Sequence, residues 1–161
     1  MVIRKLLIIL LMVLFLTGCS QNSSNLIYNK EKIDMIDIQG VNESNSAVDY
    51  PSIQDLSTIK KILSLIDNIK VRKLSPSEEN KILDNGKKMQ QKGNYFISFL
   101  DNTKETSPAK SLCGLLIILK EGKLIFSDIK TMTGKQRTVS YIPVDDVSDT
   151  VDELLKIIEN R

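Results

Sequence analysis

The sequence predicts a single α+β domain, in which a mainly antiparallel sheet has two main amphipathic helices packed on it. Three observations support this fold class. The chain has 161 residues, a length that suits one domain. Apolar residues recur at helical spacing in two separate segments, 56–69 and 147–158. Between these segments, residues 94–143 contain short apolar runs separated by turn signals, which is typical of a β-meander.

The N-terminal half of this domain is predicted to alternate between strand and helix. A strand is predicted at 33–39, and a loop rich in Asn, Ser and Asp follows at 40–54. The first main helix is predicted over 55–68, because its apolar residues form one continuous stripe. A short strand is predicted at 69–73.

A smaller helix is predicted to begin after Ser75. Ser75 is a favourable N-cap residue, Pro76 suits the first helical position, and Glu78 completes a capping box. The Asn-Gly pair at 85–86 indicates the end of this helix. We expect a polar loop over 87–93.

The C-terminal half is predicted to form a meander and a final helix. The segment 112–119 is continuously apolar, as expected for a strand buried on both faces, and it contains Cys113, which we expect to be a core thiol. The remaining elements are predicted in this order: strands at 94–100, 112–119, 123–129 and 137–143, and a helix at 146–160.

The N-terminus has the layout of a secretory signal. Arg4 and Lys5 precede an apolar run of 11 residues, 6–16, and small residues follow it. A helix of that length extends only about 16 Å, against a hydrocarbon core of about 30 Å. The segment is therefore too short to be an ordinary membrane span, and we interpret it as an export signal.

The end of this signal resembles the lipobox of bacterial lipoproteins. The four residues are Leu16, Thr17, Gly18 and Cys19. The resemblance implies that Cys19 receives a diacylglyceryl thioether and fatty acids such as palmitate, and becomes the mature N-terminus. The implied organisation is a signal peptide at 1–18, a lipidated N-terminus and flexible tether at 19–32, and an extracytoplasmic domain at 33–161. The protein would then be anchored to the outer face of the cell membrane.

Composition excludes several classes of function. The chain has no His, which removes most general-base mechanisms and the usual zinc sites. Without Arg4 and Lys5, the basic and acidic side chains balance at 20 each, so nothing indicates a nucleic-acid partner. Cys113 is the only cysteine besides Cys19, and no catalytic motif or cofactor-binding loop occurs. We therefore expect no enzymatic activity and no cofactor.

An acidic cluster near the C-terminus allows two interpretations. Asp145, Asp149, Asp152 and Glu153 share one side of the predicted helix. They are weak candidates for a metal-ion site, but the order of residues in an EF-hand loop is missing. The interpretation that we favour is a helix N-terminus whose carboxylates complement the helix dipole.

Two basic segments are the opposite feature. The first contains Lys87, Lys88 and Lys92, and the second contains Lys135 and Arg137. They are suited to contact anionic lipid or wall polymer, although solvated loops are the simpler interpretation.

The order of lipobox, strand, amphipathic helix, meander and C-terminal helix resembles the small YhfM-like lipoproteins of Bacillus-type Gram-positive bacteria. The residues that support the resemblance are 16–19, 59–66, 95–100, 112–129 and 147–158. The resemblance implies a location and a fold, but no activity.

Two functions remain in competition. The first is a non-catalytic binding or interaction module, anchored to the membrane by its lipid and recognising an envelope protein of unknown identity. The alternative is a lipoprotein that binds a small ligand or a metal ion, with the acidic patch or a groove of the sheet as the site.

Overall fold

The computed structural model describes residues 21–103, 112–131 and 138–160, which form an α+β domain. The strands are β1 Gln21–Asn22, β2 Met35–Val41, β3 Ala47–Ile53, β4 Lys70–Lys73, β5 Tyr95–Leu100, β6 Leu112–Ile118, β7 Leu124–Asp128 and β8 Val139–Pro143. The α-helices of these residues are α1 Leu56–Ile66, α2 Pro76–Leu83 and α3 Ser148–Glu159. All eight strands belong to one antiparallel sheet, in the order β1-β4-β8-β7-β6-β5-β2-β3. The predicted fold class is confirmed.

The main core lies between the sheet and the two long helices, on what we call the helix face. Alternate residues of the central strands point to this face, among them Ile97 and Phe126. Helices α1 and α3 cover them with their apolar stripes, as predicted. The buried helical side chains are Ile59, Ile62 and Ile66 of α1 and Val151, Leu154 and Ile158 of α3.

The opposite face of the sheet is covered only in part. Ile117 and Ile125 form a second buried cluster there, against which Ile82 of α2 and Met89 pack. Met89 belongs to a 3-10 helix, Lys87–Gln90, within the segment that we expected to be a polar loop. Helix α2 and this turn therefore shield the centre of the opposite face, while the residues that the structure describes leave the part formed by β2, β3 and β5 uncovered.

Helices α1 and α2 each begin at a side-chain N-cap, and the sequence predicted only the cap of α2. Asp55 accepts a hydrogen bond from the Thr58 amide at 2.9 Å, and hydrogen bonds from Ser57 and Thr58 hold the pKa of the Asp55 carboxyl well below its ordinary value. The predicted capping box between Ser75 and Glu78 is confirmed. Helix α3 begins later than predicted, after Val147, which has no side-chain cap.

The predicted loop over 40–54 is wrong in its second half, because β3 lies there. Strand β3 pairs with β2 along its length, and all of its residues except Ile53 are exposed. Because neither side of such an edge strand is buried, its sequence lacks the alternation of apolar and polar residues that predicts a strand. Its Pro51 is compatible with the edge, where a missing amide hydrogen costs no ladder hydrogen bond.

The predicted flexible tether is also wrong for its described residues, because residues 21–33 are packed into the domain. β1 pairs with β4, and Ser23 is buried, with its amide donating to the Ile69 carbonyl at 2.8 Å. Leu26 and Ile27 are buried in the main core. The segment then crosses the end of the helix face, and the ordered domain begins at least as early as residue 21.

Gly114 of β6 is what allows this crossing to lie so close to the sheet. A Cβ atom at Gly114 would lie 3.0 Å from Cγ1 and 3.3 Å from Cα of Ile27. The Tyr28 amide donates to the Cys113 carbonyl at 2.7 Å, and the Tyr28 hydroxyl donates to Oδ1 of Asp128 at 2.9 Å. Burial, followed by the hydrogen bond to Asp128, raises the pKa of Tyr28. These contacts fix residues 21–33 to β6 and β7.

Candidate functional site

The uncovered part of the opposite face contains a groove of about 600 Å³, which we call the sheet groove. Such a volume is in the usual range for ligand pockets. Most of its lining comes from β2, β3 and β5. The lining residues are Asp37, Ile38, Gln39, Asp49, Tyr50, Ser52, Phe96, Ser98 and Leu115.

Strand alternation places the polar residues of β2 in this groove. Ile36 and Ile38 point to the helix face, so that Asp37 and Gln39 point to the other side. The register opposes Gln39 to Asp49 of β3, and the Gln39 side-chain amide donates to Oδ1 of Asp49 at 3.0 Å. One wall of the groove therefore consists of paired polar side chains.

A register irregularity brings a second polar pair into the same wall. The β2–β3 pairing shifts between Ile36 and Ile38, and Ser52 donates from its hydroxyl to Oδ1 of Asp37 at 2.5 Å. Among the described residues, the second carboxylate oxygen of Asp37, like that of Asp49, accepts no hydrogen bond. Each aspartate thus keeps one oxygen available to a ligand.

The floor of the groove is apolar. Phe96 of β5 is half-buried and packs against the second cluster beneath α2. Leu115 of β6 lies opposite Ser98 of β5 in the sheet register. The groove therefore combines two carboxylates, one amide, two serine hydroxyls and one tyrosine with the apolar surface of Phe96 and Leu115.

No Lys or Arg is among the lining residues of the groove in the described part of the chain. Its two carboxylates give it negative charge, and its chemistry suits a ligand with a cationic group on an apolar stem. The sequence predicted only that a sheet groove was one alternative site. Asp37 and Asp49 were not singled out, because their proximity depends on the pairing of β2 with β3.

The acidic residues that the sequence did single out do not converge. Within residues 21–103, 112–131 and 138–160, no three His, Cys, Asp or Glu side chains are placed to hold a metal ion. The Glu153 carboxylate lies 3.8 Å from Nζ of Lys61, and the amide of Ser148 donates to Asp146 at 3.0 Å. The candidates Asp145, Asp149, Asp152 and Glu153 are exposed.

Asp145 does border a second, more apolar cavity of about 380 Å³. It lies between α2, the turn after β6 and the start of α3, and Ile82 and Ile142 contribute to it. Asp149, Asp152 and Glu153 are not part of its lining.

Two of the three lysines of the basic segment at 87–92 form ion pairs. Nζ of Lys88 lies 2.6 Å from Oε1 of Glu121, and Nζ of Lys92 lies 2.6 Å from Oε1 of Glu43. These lysines hold the pKa of the Glu121 and Glu43 carboxyls below the ordinary value. The second segment, with Lys135 and Arg137, lies outside the described residues.

The predicted core thiol is confirmed, since Cys113 is buried at 3% exposure. The lipobox residues Leu16, Thr17, Gly18 and Cys19 lie outside the described residues. None of the helices that the structure describes has the length and apolar character needed to cross a membrane. Comparison of the chain with protein-family models, with curated proteins and with solved structures found no match.

Proposed function

We propose that this protein is a membrane-anchored extracytoplasmic lipoprotein that acts as a non-catalytic binding module at the cell envelope. The signal and the lipobox residues at 16–19 support the anchor. The similarity to YhfM-like lipoproteins is part of the same proposal. The sheet groove is the proposed binding surface, and the partner is an envelope protein that presents a Lys or Arg side chain.

The observation that supports this function most directly is the composition of the groove. Its two aspartates each keep an oxygen available, its floor is apolar, and no described residue of its lining is cationic. A lysine stem of four methylene groups suits the surface of Phe96 and Leu115, while its ammonium group reaches the carboxylates. An exposed ion pair stabilises by only about 0.2–1 kcal/mol, so the groove provides selectivity within a larger contact.

Replacement of Cys19 tests the anchor. We expect Cys19→Ala to leave an uncleaved precursor that no longer incorporates labelled fatty acid, because the thiol is the acceptor of the lipid. The measurement is metabolic labelling followed by electrophoresis. The lipoprotein proposal fails if the Cys19→Ala protein is still labelled.

The groove is tested with a minimal probe, Nα-acetyl-lysine methylamide, titrated into the protein and followed by amide chemical shifts in NMR. We expect shifts at residues 37–39, 49–52 and 96–98. The matched control probe is the same compound acetylated on Nε, which is neutral and should cause no such shifts. The double variant Asp37→Asn/Asp49→Asn should abolish the response to the charged probe, whereas Asp152→Asn should not change it. Scattered shifts, or equal shifts with the neutral probe, would contradict the proposal.

The volume of the groove also favours a second candidate, a small organic cation as the ligand. At about 600 Å³ the groove accommodates a small molecule without any protein partner. Native mass spectrometry of protein isolated from its own cells separates the two candidates. An added small mass that disappears in Asp37→Asn/Asp49→Asn supports the small ligand. A benzophenone side chain at Ser98 that crosslinks a protein in cells, where one at Ser64 on α1 does not, supports the protein partner.

A further inference from the structure

The packed N-terminal segment places the proposed lipid anchor directly beside one edge of the sheet. Gln21 pairs with Val71 and Asn22 with Lys70, so that β1 and β4 are antiparallel. The N-terminal end of β1 therefore faces the end of β4 that contains Arg72 and Lys73. Only two residue steps separate Cys19 from Gln21, and such a link extends at most about 7 Å. A lipid on Cys19 therefore holds the β1–β4 edge close to the membrane surface.

This edge is basic. Lys70, Arg72 and Lys73 of β4 are exposed, while Val71 between them is buried. Nη1 of Arg72 lies 2.8 Å from Oε1 of Glu78, whereas Lys70 and Lys73 form no ion pair with any residue that the structure describes. The basic edge thus differs from the segment 87–92, where carboxylates already compensate the lysines Lys88 and Lys92.

We propose that the β1–β4 edge, through Lys70 and Lys73, docks on the anionic phospholipid surface to which the protein is anchored. This inference rests on the proposed lipidation of Cys19. A flexible tether of the predicted length would let the domain turn freely about 20 Å from the bilayer. The observed packing of residues 21–33 removes that freedom. Basic residues held within a Debye length of anionic headgroups are attracted to them electrostatically. This attraction would stabilise the docked orientation that the short link allows.

The proposal also fixes the direction in which the sheet groove faces. β1 is at one edge of the sheet and β3 is at the other, with seven inter-strand spacings of about 4.8 Å between them. With the basic edge on the membrane, the groove between β2, β3 and β5 lies about 25–30 Å from the headgroups. It is then open to partners that approach from outside the membrane.

The test uses the lipidated mature protein in vesicles of phosphatidylcholine alone, or of equal parts phosphatidylcholine and phosphatidylglycerol. Flotation first shows that the protein is anchored. Lysines are then acetylated with a water-soluble reagent, and the rates are read by mass spectrometry. We expect Lys70 and Lys73 to react several-fold more slowly on the anionic vesicles, and high salt to remove the difference. Lys60 and Lys156, on the helices, are internal controls and should react equally on both.

A charge-reversed variant separates docking from mere proximity. Hydrogen exchange at Gln21 and Asn22 should be slowed several-fold by anionic vesicles in the wild type. Lys70→Glu/Lys73→Glu should lose this effect, while the matched variant Lys60→Glu/Lys156→Glu should keep it. Protein that floats but shows equal rates on both vesicles overturns the docking and leaves the anchor intact. Protection that is the same on phosphatidylcholine alone overturns the role of charge. Protein that does not float overturns the anchor and, with it, this inference.

Discussion

Replacing Ile27 by Ala tests whether residues 21–33 belong to the folded domain. Ile27 is 4% exposed and lies against Gly114 in the main core. The substitution removes three carbon atoms, equivalent to about 2.4 kcal/mol at about 0.8 kcal/mol for each methylene group. The cavity that remains brings the expected loss to about 2–5 kcal/mol. For a chain of this length, a loss of about 3 kcal/mol lowers the melting temperature by about 6–12 °C.

The assay is urea unfolding of residues 20–161, followed by circular dichroism. Asn25→Ala is the matched control, because Asn25 is exposed in the same segment and its loss should change the free energy of unfolding by less than about 0.5 kcal/mol. We expect the midpoint of Ile27→Ala to fall while its m-value is unchanged. If both variants unfold at the midpoint of the unmodified chain, residues 21–33 are a tether and the packing argument is refuted.

A double-mutant cycle makes the same test specific to the contact with Gly114. Gly114→Ala places its Cβ 3.0 Å from Cγ1 of Ile27, so that the N-terminal segment must move away from β6. Ile27→Ala removes the Cγ1 atom and part of that clash. We therefore expect the double variant to lose less stability than the sum of the two single losses. Additive losses would show that the two residues do not interact.

Three other predictions concern α3, an exposed helix cap and a glycine of the sheet. Leu154→Ala should cost about 2–5 kcal/mol in denaturant unfolding because Leu154 is buried, whereas the exposed Asp152→Ala should cost less than about 0.5 kcal/mol. Hydrogen bonds from the amide and hydroxyl of Ser75, and then the pair with Arg72, lower the pKa of Glu78 from 4.5 to about 2. The contribution of the Glu78 carboxylate to the free energy of unfolding is therefore complete above pH 4.5 and is lost as the pH falls toward 2. Glu78→Gln should flatten the dependence of the free energy of unfolding on pH between these two values. An unchanged slope would contradict this prediction. Gly40→Ala would place a Cβ atom 2.6 Å from the Tyr50 ring. The substitution should displace that ring and cost about 1 kcal/mol in the same unfolding assay. A ring that stays in place would be a contrary result.

The elements with a strong period or a local cap could be predicted from the sequence. The stripe of α1, the capping box at Ser75 and the continuous apolar run of β6 each depend on residues that are close together in the chain. Their boundaries differ from the predicted ones by only a few residues. The placement of α1 and α3 on a common face followed from their apolar stripes.

The missed elements depend on contacts between distant residues. β3 has only Ile53 buried, so its sequence shows no apolar side, and its existence depends on the exposed edge of β2. Residues 21–33 are mostly polar and resemble a linker, and their packing depends on Gly114, more than eighty residues further along the chain. The sheet groove could not be assembled from the sequence for the same reason, because one of its walls belongs to β3, which lies in a segment that was predicted to be a loop.

The early position of the packed segment has a consequence for how the chain acquires its structure. β1 pairs with β4, which in turn pairs with β8, and the Tyr28 amide bonds to the Cys113 carbonyl. Residues 21–33 therefore close contacts with residues as far away in the chain as Asp128, and such high contact order is typical of slow folding. Until β6 has been made, Ile27 lacks the Gly114 surface against which it packs. Until then Leu26 and Ile27 are exposed apolar sites to which a chaperone can bind.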